Sequence, residues 1–278
     1  MKLTLSTKSQ KINSAIAISG SKSESNRLLI LQQLVKGLSI ENLSDSDDSN
    51  HLQHALKTEE QIIDIGHAGT AMRFLTAYFS VNEGREVVLT GSERMQNRPI
   101  EILVDALIDL GADIVYEAKV GYPPIRIKGK QLSKDKVQIN GNVSSQYISA
   151  LMLVASSLPN GLEIELIGKI TSVPYINMTM KLLEELGIDV GFYENKIIIK
   201  PMTVSDSKAV VVESDWSSAS YFYSIIALSE VGSTVTLSSY KKQARTLTTL
   251  KRDFNESTLI VLSSRTTSCK NHEYILIS

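Results

Sequence analysis

One phrase recurs along the chain and restricts its fold more than any other feature: an apolar helix, a turn carrying glycine, then a short strand. It reads NRLLILQQLVKGLSIENLS, then AMRFLTAYFSVNEGREVVLTG, then ALMLVASSLPNGLEIELIG, then SYFYSIIALSEVGSTVTLSS. Gly37, Gly84, Gly161 and Gly232 hold the turns, where a helix that ends in left-handed backbone favours a residue without a Cβ. A second phrase alternates with the first. Pro99 is predicted to open a helix with Ile100, Leu103, Leu107 and Leu110 on one face, ended by Gly111; Pro174 opens another, MTMKLLEEL, ended by Gly187. Proline at the first helical position and glycine just past the last is the usual asymmetry of helix ends. Repetition on this scale implies stacked copies of one α/β unit rather than a single open sheet. The spacing lacks the short strict period of a solenoid, so the copies are expected to form a compact domain. From about Lys241 the phrasing stops and Ser, Thr and Lys accumulate, which predicts a disordered tail or a repeat cut short.

Between the repeats, small and polar residues gather where helices begin. Gly20-Ser21-Lys22-Ser23-Glu24-Ser25-Asn26-Arg27 follows an alternating run from Ile12 to Ser19 and precedes Leu28, Leu31, Leu34 and Val35 at helical spacing. Backbone N–H groups and the positive end of a helix dipole meet there and favour a phosphate or carboxylate. Lys22 adds a point charge, and Ser23 and Arg27, four apart, share a helix face. A Ser-capped helix with a solvated Lys and Arg satisfies the same residues. Gly66-His67-Ala68-Gly69-Thr70-Ala71-Met72-Arg73 permits close backbone approach to a ligand, or simply packs a tight turn. Arg94 and Arg98 lie just before Pro99, and paired arginines are natural clamps for carboxylate or phosphate. Ser144, Ser145 and Gln146 stand at a further helix start, as do Ser172 and Tyr175 around Pro174; ordinary N-capping explains these serines equally well.

Composition excludes several classes. The 278 residues carry a formal net charge of −1, which argues against a general nucleic-acid binder, so an anionic ligand must be held by a local cluster. The N-terminal MKLTLSTKSQ lacks the apolar core of a signal peptide, no apolar run is long enough to span a membrane, and one cysteine, Cys269, rules out an intrachain disulfide and a Cys-rich metal site. A cytoplasmic protein is expected. Asp45-Ser46-Asp47-Asp48 resembles the start of a calcium loop, but Asn50 replaces the required glycine and Leu56 the bidentate glutamate, so a turn and helix cap are predicted. His51 and His54 form a weak metal pair on what reads as a solvated helix face. No Walker P-loop, G-x-S-x-G or G-x-G-x-x-G pattern is present.

Taken in order, GSKSESNR, GHAGTAMRFL, LTGSERMQNRPI, GNVSSQY, SVPYINMT and DWSSASYF resemble the 5-enolpyruvylshikimate-3-phosphate synthases, from about residue 12 to about residue 240; His67 stands where many relatives have Asn. Other enolpyruvyl transferases fit less well, with Asn where this chain has Ser23 and a loop Cys that it lacks. The resemblance implies transfer of the enolpyruvyl group of phosphoenolpyruvate to the 5-hydroxyl of shikimate 3-phosphate, through a tetrahedral intermediate, without metal or cofactor, by a protein that is usually monomeric. It implies an α/β (α+β) enolpyruvyl transferase fold, an inside-out barrel of βαβαββ copies. Residues 12–213 would be a first lobe of three copies, and 1–11 with 214–278 a partial second lobe. Lys22, Ser23, Arg27, Ser144, Ser145, Gln146 and Ser172 would hold shikimate 3-phosphate, with Tyr175 beside them; Lys22, Gly69, Arg98 and Gln146 would meet phosphoenolpyruvate. Lys22 would act in catalysis, and Arg73 and Arg94 would support the site. The family's second-lobe aspartate, its following polar group and its late Arg and Lys clamp have no counterpart, which raises the expectation of a disrupted reading frame. The alternatives are a shikimate-3-phosphate-binding fragment without turnover and a transferase with another acceptor.

Overall fold

A computed structural model describes residues 11–171, 173–202, 207–230, 232–240, 246–252, 259–264 and 273–277. In chain order its elements are β1 (Asn13–Ala17), α1 (Lys22–Leu34), β2 (Leu38–Glu41), α2 (Asp47–Lys57), β3 (Ile62–Asp64), α3 (Gly69–Val81), β4 (Glu86–Thr90), α4 (Glu93–Gln96) and α5 (Glu101–Asp109). Then follow β5 (Asp113–Tyr116), β6 (Ile125–Lys128), β7 (Lys136–Asn140), α6 (Ser145–Ala155), β8 (Leu162–Ile167), α7 (Val173–Glu185), β9 (Val190–Tyr193), β10 (Lys196–Ile199) and β11 (Lys208–Val211). The last elements are α8 (Trp216–Ala227), β12 (Thr234–Tyr240), β13 (Thr246–Arg252), β14 (Leu259–Ser264) and β15 (Glu273–Ile277). They form two units. A core unit comprises Lys22–Glu41 and Asp45–Val210, and a terminal unit Met1–Ser21, Asn42–Ser44 and Val211–Ser278.

The core unit is built outward from helices of the first sequence phrase. In α3, 11 of 13 residues are buried, and in α6, 10 of 11. Helices so fully buried belong in an interior, and α3 and α6 pack against each other there, with the more polar α1 against both. Two hydroxyls inside α3 bond to their own helix: Thr76 donates to the Met72 carbonyl and Ser80 to the Thr76 carbonyl, each at 2.7 Å. The second-phrase helices bury one stripe, as α7 does with Ile176, Thr179, Leu182 and Leu183. Around them lie sheets with one face inward, such as β7, whose residues alternate between exposed and buried.

Two complete βαβαββ copies are present. In the first, β3 pairs parallel with β4, and β6 pairs antiparallel with β4 and β5. In the second, β7 pairs parallel with β8, and β10 pairs antiparallel with β8 and β9. The predicted third copy is reduced: α1 and α2 flank β2, whose described strand partner is β11. The reason is that β1, expected to serve the lobe of residues 12–213, pairs parallel with β12 instead, so the chain up to Ser21 joins the terminal unit.

Local signals behave as physical chemistry requires. Gly37, Gly84, Gly161 and Gly232 have φ between 71° and 88°. The predicted cap before α2 forms: Ser46 accepts from the Ser49 amide, Asp47 and Asp48 fill the first turn, and His54 and Lys57 fill the last. One boundary is corrected. Pro99 does not open α5, because Ile100, at φ −134° and ψ −2°, is the residue before its first turn. In the terminal unit, Ile18, Ala219, Ile226, Val235 and Leu237 make a small core, while Tyr221 of α8 and Leu228 just past its end are exposed. The predicted tail beyond residue 241 forms backbone ladders where it is described, β13 with β12 and β14, and β14 with β15.

Candidate anion site

Three buried helices of the core unit begin at one end. Gln146, second in α6, donates from its amide to the hydroxyl of Thr70, second in α3, at 3.1 Å. The Arg27 guanidinium, sixth in α1, lies 5.4 Å from the centroid of Phe74, sixth in α3, and its Nη2 donates to Ser149, fifth in α6, at 2.9 Å. Like positions face like positions, so α1, α3 and α6 run parallel with their N-termini together. Their first-turn N–H groups and positive dipole ends therefore add at one place.

Lys22 is the first residue of α1, with about half of its side chain exposed, and its Nζ lies 3.6 Å from Asp48 Oδ1. Ser23 follows it and is half-buried. Arg27 is only 2% exposed: Nε donates to Thr179 Oγ1 at 2.8 Å and Nη1 to the Ser23 carbonyl at 2.7 Å. Burial pulls the Arg27 pKa down to about 10, an effect that the neighbouring Tyr175 phenol opposes. No carboxylate bonds to this guanidinium among the described residues. It is a buried charge held by hydroxyls, a carbonyl and an aromatic face.

A second cationic group surrounds the start of α3. The Arg98 guanidinium lies so close over Gly69 that a Cβ there would collide with it, which explains the glycine. Arg73, 5% exposed, donates from Nη1 to the Gly69 carbonyl at 2.8 Å and from Nη2 to the Pro99 carbonyl at 3.4 Å. The same Pro99 carbonyl accepts from the Tyr147 hydroxyl at 2.7 Å. Burial and then the neighbouring Arg98 lower the Arg73 pKa, and Tyr147 opposes them. Asp48 acts on Arg73 as well as on Lys22, so it stands between the two cationic groups, and its Oδ2 is buried without a hydrogen-bond partner among the described residues.

Of the predicted site residues, Lys22, Ser23, Arg27, Gly69, Arg98 and Gln146 sit at or just below these helix starts. Ser144 caps α6, accepting from the Gln146 amide at 3.4 Å, and Ser145 is buried behind it. Tyr175 is half-exposed in the first turn of α7. Ser172 lies outside the described residues. Arg94 is exposed on α4, and no described contact joins it to the cluster. Asp48, Thr70, Tyr147, Ser149 and Thr179 were not singled out by sequence for this site. Ser149 and Thr179 announce themselves as polar residues at positions where their helices should be apolar, whereas the role of Asp48 depends on how α2 packs.

A family profile described as EPSP synthase (3-phosphoshikimate 1-carboxyvinyltransferase) matches residues 53–252. The 3-phosphoshikimate 1-carboxyvinyltransferase of Bacteroides fragilis strain YCH46 is 47% identical over 230 residues, covering 82% of this chain and 56% of that protein. The enzyme of the same name from Pasteurella multocida is 38% identical over 251 residues, covering 78% and 57%. A solved structure of EPSP synthase from Acinetobacter baumannii superposes with a TM-score of 0.70 at 22% identity, covering 83% of this chain and 56% of that one, and so supports the fold. The chain thus spans a little over half the length of the relatives it matches.

Proposed function

The chain belongs to the EPSP synthase family, and from that premise we propose that its core unit binds shikimate 3-phosphate and phosphoenolpyruvate side by side and serves the transfer of the enolpyruvyl group to the shikimate 5-hydroxyl. The observation that carries this reading is the convergence of three parallel helix N-termini with Lys22, Arg27, Arg73 and Arg98 in a chain of net charge −1. Two polyanions can lie together only where their repulsion is offset by fixed cations and oriented N–H groups.

In this reading Arg27, Ser23, Ser144, Ser145, Gln146 and Ser172 hold the shikimate ester, and Gly69, Arg98 and Gln146 hold phosphoenolpyruvate. Lys22 reaches both. The 5-hydroxyl adds to C2 of the enol ester while a proton goes to C3, and phosphate then leaves as a C3 proton is lost; Lys22 steadies negative charge at both steps. Asp48 releases Lys22 as the ligands arrive. The protein works as a monomer in the cytoplasm, without metal or cofactor. Because the chain spans about 56% of its relatives, binding with little turnover is the form of the activity expected from these 278 residues alone.

Calorimetry with shikimate 3-phosphate, paired with a phosphate-release assay, tests this. Saturable binding that weakens with salt and is lost in Lys22→Met is the expected result, with slow phosphate release at most. If neither shikimate 3-phosphate nor phosphoenolpyruvate binds, the assignment fails. If both bind and phosphate release is rapid, the binding-only form of the reading is wrong.

A further inference from the structure

The turn between β3 and α3 holds an ionisable group that the fixed cations do not explain. His67 is exposed there, two residues before Gly69 and the Arg98 guanidinium that covers it. The turn is firmly pinned. The Gly66 amide donates to Asp64 Oδ1 at 2.7 Å, the Gly66 carbonyl accepts from Ser92 N at 2.8 Å, and the Ala68 amide donates to the Ile65 carbonyl at 3.1 Å. Behind it lies the His51 ring of α2, against Gly66 and edge-on to His67, with centroids 6.2 Å apart and planes at 75°. Neither imidazole makes a hydrogen bond with a described residue, so both nitrogens of His67 are open to a ligand.

We propose that His67 is a proton-dependent ligand for the phosphoryl group of the anion bound at the start of α3, with His51 fixing its ring. The inference rests on the anion-binding reading of this site and adds regulation by pH to it. The charged and titratable groups around the turn are Asp64 of β3, bonded to Gly66, and His51 of α2, packed against Gly66, with Arg73 and Arg98 at Gly69, Asp48 of α2 acting on Arg73, and Lys22 of α1 beside Asp48. Histidine is the group whose charge changes near neutral pH.

The sign follows from linkage. An anion favours the imidazolium, so binding raises the His67 pKa. The added affinity is fully present at the acid end of the range, where the imidazolium forms, and disappears as rising pH removes its proton. A charge-assisted hydrogen bond at a partly solvated site corresponds to about a tenfold change in affinity, which is a shift of about one pH unit.

The test uses the 278-residue chain. Histidine Cε1–H resonances are followed by NMR from pH 5.5 to 8.5, free and saturated with phosphoenolpyruvate, with His67 assigned from His67→Asn. In parallel, sulfate affinity is measured over the same range, because sulfate does not itself titrate there. The expected result is an upward shift of about one unit for His67 on binding, and sulfate affinity that falls about tenfold in the parent while staying flat in His67→Asn. If phosphoenolpyruvate binds but His67 titrates identically with and without it, this inference is wrong and the anion site stands. If phosphoenolpyruvate does not bind at any pH, this inference is wrong, and the anion-binding reading falls with it only if shikimate 3-phosphate also fails to bind. The NMR shift in the parent chain decides the matter by itself should the variant fold poorly.

Discussion

Arg27 shows how a single residue can be costly to the fold and still be kept. Its guanidinium is almost fully buried among Thr179, Ser149, the Ser23 carbonyl and the Phe74 ring, without a carboxylate. Removing an arginine usually leaves its partners stranded, but here Ser149 and Thr179 also lie 3.0 Å apart and can pair with each other. The balance between desolvation and three hydrogen bonds to neutral groups is therefore near zero. Arg27→Met is expected to change stability by no more than about 1 kcal/mol in urea unfolding, while shikimate 3-phosphate binding is lost. A destabilisation of ~3 kcal/mol would show that the guanidinium is a structural tie. The sequence exposed this residue because Ser23 and Arg27 fall four apart after a strand; its burial was hidden, since α7 and α6 approach from more than a hundred residues away.

At the scale of elements, capping was the most legible feature. Ser46, Ser92, Ser144 and Asp215 each accept from a first-turn amide, and short polar side chains before apolar runs announce such caps. The α2 cap matters beyond its own helix, because that helix carries Asp48 to Lys22. Ser46→Ala is expected to cost about 1 kcal/mol, seen as a lower Tm, and faster amide exchange in the first turn of α2 would accompany it. An unchanged exchange pattern would mean that tertiary contacts, not the cap, hold this helix start. The sequence missed what pairing decides. The alternation from Ile12 onward marks a strand correctly, yet nothing in it says that β1 pairs with β12 across some 220 residues. Proline suits a first helical turn and so points to a start at Pro99, whereas α5 begins at Glu101 and the Pro99 carbonyl is taken by Tyr147 and Arg73.

The whole molecule reflects unequal cores. The core unit buries α1, α3 and α6 among its sheets, whereas the terminal unit has one described helix over a handful of apolar side chains, with Tyr221 and Leu228 left exposed. The phrase SYFYSIIALSEVG predicts one more copy of the buried-helix motif, and it does form α8. What periodicity cannot convey is whether a helix apolar on all sides finds neighbours on all sides. Because small cores are marginal, the terminal unit is expected to melt first. Calorimetry then gives two transitions, and Val235→Asp removes the earlier one alone. A single transition whose calorimetric and van't Hoff enthalpies agree would show that the chain folds as one cooperative body.

The parallel start of α1, α3 and α6 also has a mechanical consequence. Bar magnets laid side by side with like poles together push apart, and these helices do the same at the end where Gln146 meets Thr70. An anion seated there acts as a keeper placed across the poles: it quiets the repulsion and stiffens the bundle. Ligand-free protein is thus the looser spring, tightened by whatever negative group settles at its mouth.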